Sequence, residues 1–200
     1  MGAADRRTLG DHRHFLAGLA KGRVLELGCG AGFNFSYYQA GGAVAEVVGL
    51  EPDRAMLAKA RKEAAAAAVP TEVVQGVGES LVFSDESFDC VVATLVLCTV
   101  QDPVQTLAEI RRVLRPGGSL LFLEHVRAAT RGWAKFQQFI EPGWGFFAGG
   151  CHLCRDTGAA IRQSGLSLDL CEGQGYIGWP LLPVIRGVAV KLATDTVLPP

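Results

Sequence analysis

Five short apolar runs constrain the fold more than any other feature of the chain. They are "RVLEL" from residue 23, "EVVGLEP" from 46, "TEVVQG" from 71, "FDCVVATLVL" from 88 and "SLLFLEH" from 119. Strands covered on both faces read as continuous apolar stretches rather than as alternation. The intervening chain has helical character. "NFSYYQA" opens with Asn34 as a candidate N-cap, and "DRAMLAKARKEAAAAA" is capped by Asp53 and halted before Pro70. "PVQTLAEIRRVLRPGG" has an apolar stripe at Val104, Leu107, Ile110, Val113 and Leu114, with Pro116-Gly117-Gly118 ending it. This alternation predicts an α/β fold, a doubly wound, Rossmann-like, seven-stranded, mostly parallel sheet with right-handed connections.

The rhythm breaks at residues 126–153, which are rich in aromatics and glycine and have no strand pattern. This stretch is expected to form an aromatic cap insertion after strand five, over the carboxyl edge of the sheet. "RDTGAAIRQSGL" then reads as a helix, and "LSLDLCEG" and "PVIRGVAVKL" as a closing strand pair. Residues 1–21, with Phe15, Leu16 and Leu19 at helical spacing, read as an N-terminal helix. The whole chain, 1–200, is expected to be one domain.

Composition narrows the class. Hydrophobic residues make up 49% and charged residues 20%, enough apolar chain for a sizeable core. A net charge of −1 argues against a nucleic-acid binder held by phosphate contacts. The N-terminus lacks the apolar core of a signal peptide, and prolines break "AAAAAVP" and "YIGWPLLPVIRG" before either could span a bilayer. The expectation is a cytoplasmic chain with no transmembrane anchor; oligomeric state is not legible. Of the six cysteines only Cys151 and Cys154, in "CHLC", lie close in sequence. No second pair of ligands matches them, so no metal site is expected, and whether the pair has a redox or metal role stays open.

The chemistry concentrates at "VLELGCGAGF", residues 24–33. Open α/β sheets bind ligands at the carboxyl ends of their strands, near the switch point beside strand one. Gly28, Gly30 and Gly32 permit a tight turn with no Cβ between backbone and ligand. Glu51, at the end of strand two, can accept two hydrogen bonds from a ribose diol. Dinucleotide and S-adenosylmethionine sites share both features. A dinucleotide fingerprint wants Gly or Ala where this chain has Phe33. A pyrophosphate disfavours Glu26 two residues before the loop, whereas an amine or sulfonium tolerates it. The turn "VGESLVF" after strand three supplies a polar edge for adenine.

The ordered set "VLELGCGAG", "VVGLEPD", "GVGESLVF", "FDCVVATLVLCTV" and "VLRPGGSLLFLEH" resembles a class I S-adenosylmethionine-dependent methyltransferase of the type 11 group, over roughly residues 20–125. "TLVLCTV", "RRVLRPGGSLLFLEHV", Trp133, "EPGWGFFAGGCHLCRD" and "GVAVKL" resemble the methyltransferase-like 7 family, the thiol methyltransferases, almost to the C-terminus. The resemblance implies S-adenosyl-L-methionine as cofactor and S-adenosyl-L-homocysteine as product. It assigns the methionine and ribose parts to Gly28, Cys29, Gly30 and Gly32, the amino group to Glu26 and the ribose hydroxyls to Glu51. Pro52 and Met56 would flank the adenosine, and Thr94 and Leu95 close the pocket beside the sulfonium. Val77 stands where many type 11 enzymes carry Asp, which leaves the adenine to Gly78 and Glu79.

Methyl transfer is an in-line displacement on an already activated carbon, so alignment and exclusion of water are the main tasks. His125, ending strand five, is the candidate base for an acceptor that must lose a proton. Cys98 lies just past strand four, and Trp133, Trp144 and Phe147 would line an apolar acceptor pocket. Arg155 would either tie the cap to the sheet or meet an acceptor carboxylate. The expected acceptor is a thiol on a small, largely apolar molecule. The alternatives are O- or N-methylation of an amphipathic small molecule or phospholipid head group, and a silent cofactor-binding partner of another methyltransferase.

Overall fold

The computed structural model describes residues 2–177 and 182–193. Seven strands form one sheet in the order β3-β2-β1-β4-β5-β7-β6. They are β1 (Gly22–Leu27), β2 (Val44–Glu51), β3 (Thr71–Gln75), β4 (Phe88–Thr94), β5 (Leu114–His125), β6 (Ser167–Ile177) and β7 (Leu182–Val190). β1 through β5 pair parallel, and β7 runs antiparallel between β5 and β6. The chain reverses beside β1, which places the loops after β1 and β4 at the switch point.

Among the described residues five α-helices complete the fold: α1 (Gly2–Leu19), α2 (Arg54–Ala65), α3 (Pro103–Val113), α4 (Arg131–Phe147) and α5 (Thr157–Gln163). The caps follow local chemistry. Asp53 accepts from Met56 N at 2.8 Å, Asp156 from Ala159 N at 2.9 Å, and Asp102 from Val104 N and Gln105 N at 2.9 and 3.0 Å. Each such cap is worth about 1 kcal/mol. Two apolar layers sandwich the sheet. Leu25, Leu27, Val91, Leu107, Ile110 and Phe122 dominate one, and Leu16, Val24, Phe35, Val47, Val92 and Leu121 the other. Successive strand residues point to opposite faces, so Val91 and Val92 fall in different layers.

Four expectations need correction. "NFSYYQA" forms only a single 3-10 turn, Phe35–Tyr37, and Asn34 makes no capping bond; its side chain is drawn inward to Glu26 and Thr94. Val104 is exposed and Thr106 buried, so the α3 stripe is rotated from the expected one. α3 ends at Val113, and Leu114 already pairs with Phe88; Gly117, at φ +78°, turns the chain before the main ladder begins at Ser119. Residues 131–147 of the break after strand five fold as a 17-residue helix that carries Pro142 internally.

Candidate active site

The loop after β1 takes its shape from left-handed backbone. Gly28, Gly30 and Gly32 have φ of +56°, +57° and +82°. The three glycines serve different ends. A Cβ on Gly32 would meet the Phe35 ring at 2.8 Å, and one on Gly28 the Val96 methyls at 2.8 and 2.9 Å, so both are packing constraints. A Cβ on Gly30 would meet nothing within 4 Å; its face looks into open cleft. Glu51 braces the loop. Its carboxylate accepts from Gly30 N at 2.9 Å and from Asp53 N at 3.0 Å, linking the ends of β1 and β2.

Two cavities meet along this loop. One, of about 530 Å³, is lined by Glu26, Gly28, Cys29, Gly30, Thr94 and Leu95 among others. The second, of about 670 Å³, is lined by Glu51, Pro52, Gly76, Gly78, Glu79 and Thr99 among others. Gly28, Met56 and Leu95 border both, so together they form one continuous cleft. A third cavity, of about 540 Å³, opens elsewhere, between the segment after β5, α5, β6 and β7.

Glu26 is buried at the inner end of the cleft. Asn34 Nδ2 and the Tyr38 hydroxyl each donate to its carboxylate, and Arg13 donates to Asn34 Oδ1. Burial pushes the Glu26 carboxyl up to about 7, against the pull of the Tyr38 and Asn34 bonds. A buried carboxylate at the end of an open cleft fits a cationic amine, whose charge offsets what burial costs the anion. The combination of that carboxylate, the open face of Gly30 and the Glu51 acceptors suits S-adenosylmethionine.

The end of β4 is held by a residue that attracts no attention in the sequence. Glu124 is fully buried and accepts from three successive amides: Val96 N and Leu97 N at 2.9 Å and Cys98 N at 3.1 Å. Burial raises this carboxyl to about 7, the three amide bonds opposing it. The grip stabilises a sharp turn in which Leu95 adopts φ +59°, a left-handed conformation rare for leucine. Leu95 thereby enters both the cleft wall and the apolar cluster of Cys98, Cys151, Leu153, Leu182, Ile140 and Trp144.

In that cluster Cys151 Sγ lies 3.5 Å from His125 Nδ1, and the ligating atoms of Cys98, His125 and Cys151 all lie within 4.8 Å of one another. A hydrogen bond from the Cys98 thiol, with His125 alongside, pulls the Cys151 thiol well below the ordinary thiol range; Cys98 is pushed up correspondingly.

The expected residues distribute as follows. Glu26, Gly28, Cys29, Gly30, Glu51, Pro52, Met56, Gly78, Glu79, Thr94 and Leu95 all line the cleft. Gly32 does not, being occupied with Phe35. Glu79 also accepts from Gln101 N at 2.7 Å and Asp102 N at 3.3 Å, which ties it to the entry of α3. On the acceptor side Cys98 and Trp144 meet His125 in one cluster. Arg155 donates to Leu97 O at 2.8 Å, so it ties the segment after α4 to the β4 turn. Trp133 stands partly exposed edge-on to Phe136, and Phe147 is 85% exposed; neither lines the cleft. Cys154 is separate from Cys151's partners and feels Glu141 instead.

Three contributors were missed. Asn34 satisfies a local capping rule, Tyr38 falls in a stretch that reads as helix, and Glu124 lies inside a strand of apolar pattern. A carboxylate in the otherwise apolar strand "SLLFLEH" was the available clue, since a fully buried acid needs donors.

Comparison with known proteins gives the arrangement its chemistry. A family model described as "Methyltransferase domain" matches residues 25–122. The human thiol S-methyltransferase TMT1B is 41% identical over 180 residues, 86% of this chain and 72% of that protein. The human thiol S-methyltransferase TMT1A is 36% identical over 198 residues, 96% of this chain and 80% of that protein. The chain belongs to the thiol S-methyltransferase family. This family member is an S-adenosylmethionine-dependent methyltransferase, and the motif set in its sequence reflects that cofactor. Among solved structures the [4+2]-cyclase SpnF superposes with a TM-score of 0.75 at 19% identity, covering 92% of this chain and 80% of that one. The YcgJ protein of Bacillus subtilis superposes with a TM-score of 0.71, also at 19%, covering 94% and 99%. At such identity the likeness concerns the fold alone. Among the described residues no helix is long and apolar enough to cross a membrane.

Proposed function

We propose that this family member transfers a methyl group from S-adenosylmethionine to a thiol on a small, largely apolar molecule. The observation that carries the reading is the likeness to thiol S-methyltransferases across most of the chain. The Cys98–His125–Cys151 cluster beside the cleft supports it, because its apolar walls suit an apolar acceptor body.

In this reading Glu26 meets the cofactor's amino group and Glu51 its ribose hydroxyls. Gly28, Cys29 and Gly30 lie along the methionine and ribose, with Pro52 and Met56 flanking the adenosine. Gly78 and Glu79 face the adenine. Thr94 and Leu95 stand beside the sulfonium. When bound, the cofactor supplies a methyl carbon activated by positive sulfur. The protein's task is to hold the acceptor sulfur in line, keep water away and favour the thiolate. His125 stands beside the acceptor sulfur and favours its ionised form. α4 covers this end of the sheet with Trp144 turned inward.

A panel of matched aryl and alkyl thiols, alcohols and amines, offered with S-adenosylmethionine, tests the proposal. Thiols should turn over fastest. Faster turnover of the alcohols or amines would replace it with the O- or N-methylation reading. One relative gives that reading a footing: a phosphatidylethanolamine N-methyltransferase of Cereibacter sphaeroides, 32% identical over 62% of this chain.

A further inference from the structure

Cys98 follows β4, His125 ends β5, and Cys151 follows α4, yet their ligating atoms converge within 4.8 Å. All three residues are buried. A tetrahedral ion with bonds of about 2.3 Å to sulfur and about 2.0–2.1 Å to nitrogen sets an S···N edge of about 3.6 Å and an S···S edge of about 3.8 Å. The Cys151 Sγ to His125 Nδ1 distance is 3.5 Å, already that of two ligands on one ion. Cys98 needs to approach by no more than about 1 Å, within reach of a side-chain rotation.

We propose that Cys98, His125 and Cys151 bind one thiophilic divalent ion, zinc by ligand preference, whose fourth position takes the acceptor thiolate. The proposal rests on the thiol reading above and deepens it.

The ligand chemistry selects the ion, since two thiolates and an imidazole suit zinc and not magnesium or calcium. The ligand count selects the role. Structural zinc sites use four protein ligands, whereas catalytic sites use three and keep one position open. Among the described residues no fourth His, Cys, Asp or Glu joins this group. The location fits as well. Thr99, next to Cys98, and Gly149, two residues before Cys151, both line the cofactor cleft. Leu95 stands between the cleft and the cluster, in contact with both. The indole of Trp144 packs against the cluster and turns its N–H towards the Cys151 sulfur. A donor to a ligating thiolate is the usual outer-shell arrangement of a metal site.

The step balances without a redox partner. The acceptor R–SH gives its proton to water as its sulfur takes the fourth position. The bound thiolate then uses a lone pair to form a bond to the methyl carbon. The bond from that carbon to the sulfonium breaks, and its electron pair neutralises the sulfonium, giving S-adenosylhomocysteine. The thioether product is uncharged, binds the ion weakly and leaves.

The test measures the metal directly in the whole protein. Elemental analysis of the purified chain should find about one zinc per chain, lost in Cys151→Ser and in Cys98→Ser but retained in Glu26→Gln, which weakens the cofactor instead. After exchange to cobalt(II), the spectrum should show a tetrahedral ion with thiolate charge transfer, and an apolar thiol should intensify that band while the matched alcohol leaves it unchanged. The cobalt spectrum of the unmutated chain decides even if a cysteine variant fails to fold. No bound metal with all thiols titratable, a Cys98–Cys151 disulfide in its place, or a cobalt band indifferent to the thiol would overturn the proposal. Thiol methylation without metal would defeat this inference and leave the proposed function standing. Metal binding together with methylation of alcohols alone would defeat the proposed function.

Discussion

The Tyr38 hydroxyl donates to Glu26 Oε2 at 2.5 Å, and both side chains are almost wholly buried. The carboxyl titrates near 7 in the cofactor-free chain because burial outweighs this bond and the one from Asn34. An ammonium group beside it favours the anion, so binding must displace the proton whenever Glu26 is protonated. Affinity for S-adenosylhomocysteine should therefore rise with pH up to about 7 and level off above it. Below 7 it should fall by roughly tenfold per unit while the bound carboxyl stays ionised. Calorimetric titration from pH 5.5 to 8.5 reads this directly, and Glu26→Gln should flatten the profile at weak affinity. An unmodified chain with a flat profile would remove Glu26 from the amino group.

Glu124 should matter to folding as much as to the site. In Glu124→Gln the carboxylate loses one acceptor, and an amide N–H replaces an oxygen facing one of Val96 N, Leu97 N or Cys98 N. A buried amide left without an acceptor costs about 1–3 kcal/mol. Urea denaturation should show a loss of that size, with the slope unchanged. A neutral outcome would mean that the β4 turn holds its shape without this grip.

Gly30 and Gly32 should separate binding from folding. Asparagine tolerates left-handed φ better than other non-glycine residues. Gly30→Asn places its Cβ in open cleft, so the chain should stay folded and lose most of its cofactor affinity. Gly32→Asn drives a Cβ into the Phe35 ring and should lower the thermal midpoint by several degrees. The reverse ranking would mean that the cofactor does not lie on Gly30.

α4 should be the more labile part of the acceptor side. Phe139, Phe146 and Phe147 are more than 80% exposed, whereas β4 is buried on both faces. Amide exchange should be faster in residues 131–147 than in Phe88–Thr94, and should slow when cofactor and acceptor are both present. Equal protection in every state would make α4 a fixed wall.

Much of the architecture was legible because parallel strands carry their own signature. "FDCVVAT" and "SLLFLEH" have continuous apolar centres, "CVVA" and "LLFL", because both faces are covered, and Asp53 and Asp102 sit where helices must begin. The cleft was legible for a related reason: its ligand meets backbone, so glycines and strand-end carboxylates mark it. The failures concern long-range partners. Asn34 satisfies a local capping rule, yet the buried charge of Glu26 competes for its amide and prevails. Cys151 and Cys154 stand out as the close pair in sequence, while the neighbours of Cys151 in the fold are 53 and 26 residues earlier, at Cys98 and His125. Aromatic composition suggested a lining for the acceptor pocket, but composition cannot say which face of α4 turns inward. Trp144 does; Phe147 does not.

The most direct test of the central claim is the position of the transferred methyl on one acceptor carrying both a thiol and a hydroxyl on the same apolar body. With methyl-labelled S-adenosylmethionine, mass spectrometry of the product reads the choice inside a single molecule, free of differences in acceptor binding. A label on sulfur, released with S-adenosylhomocysteine in equal amount, is the predicted result; a label on oxygen would contradict the account.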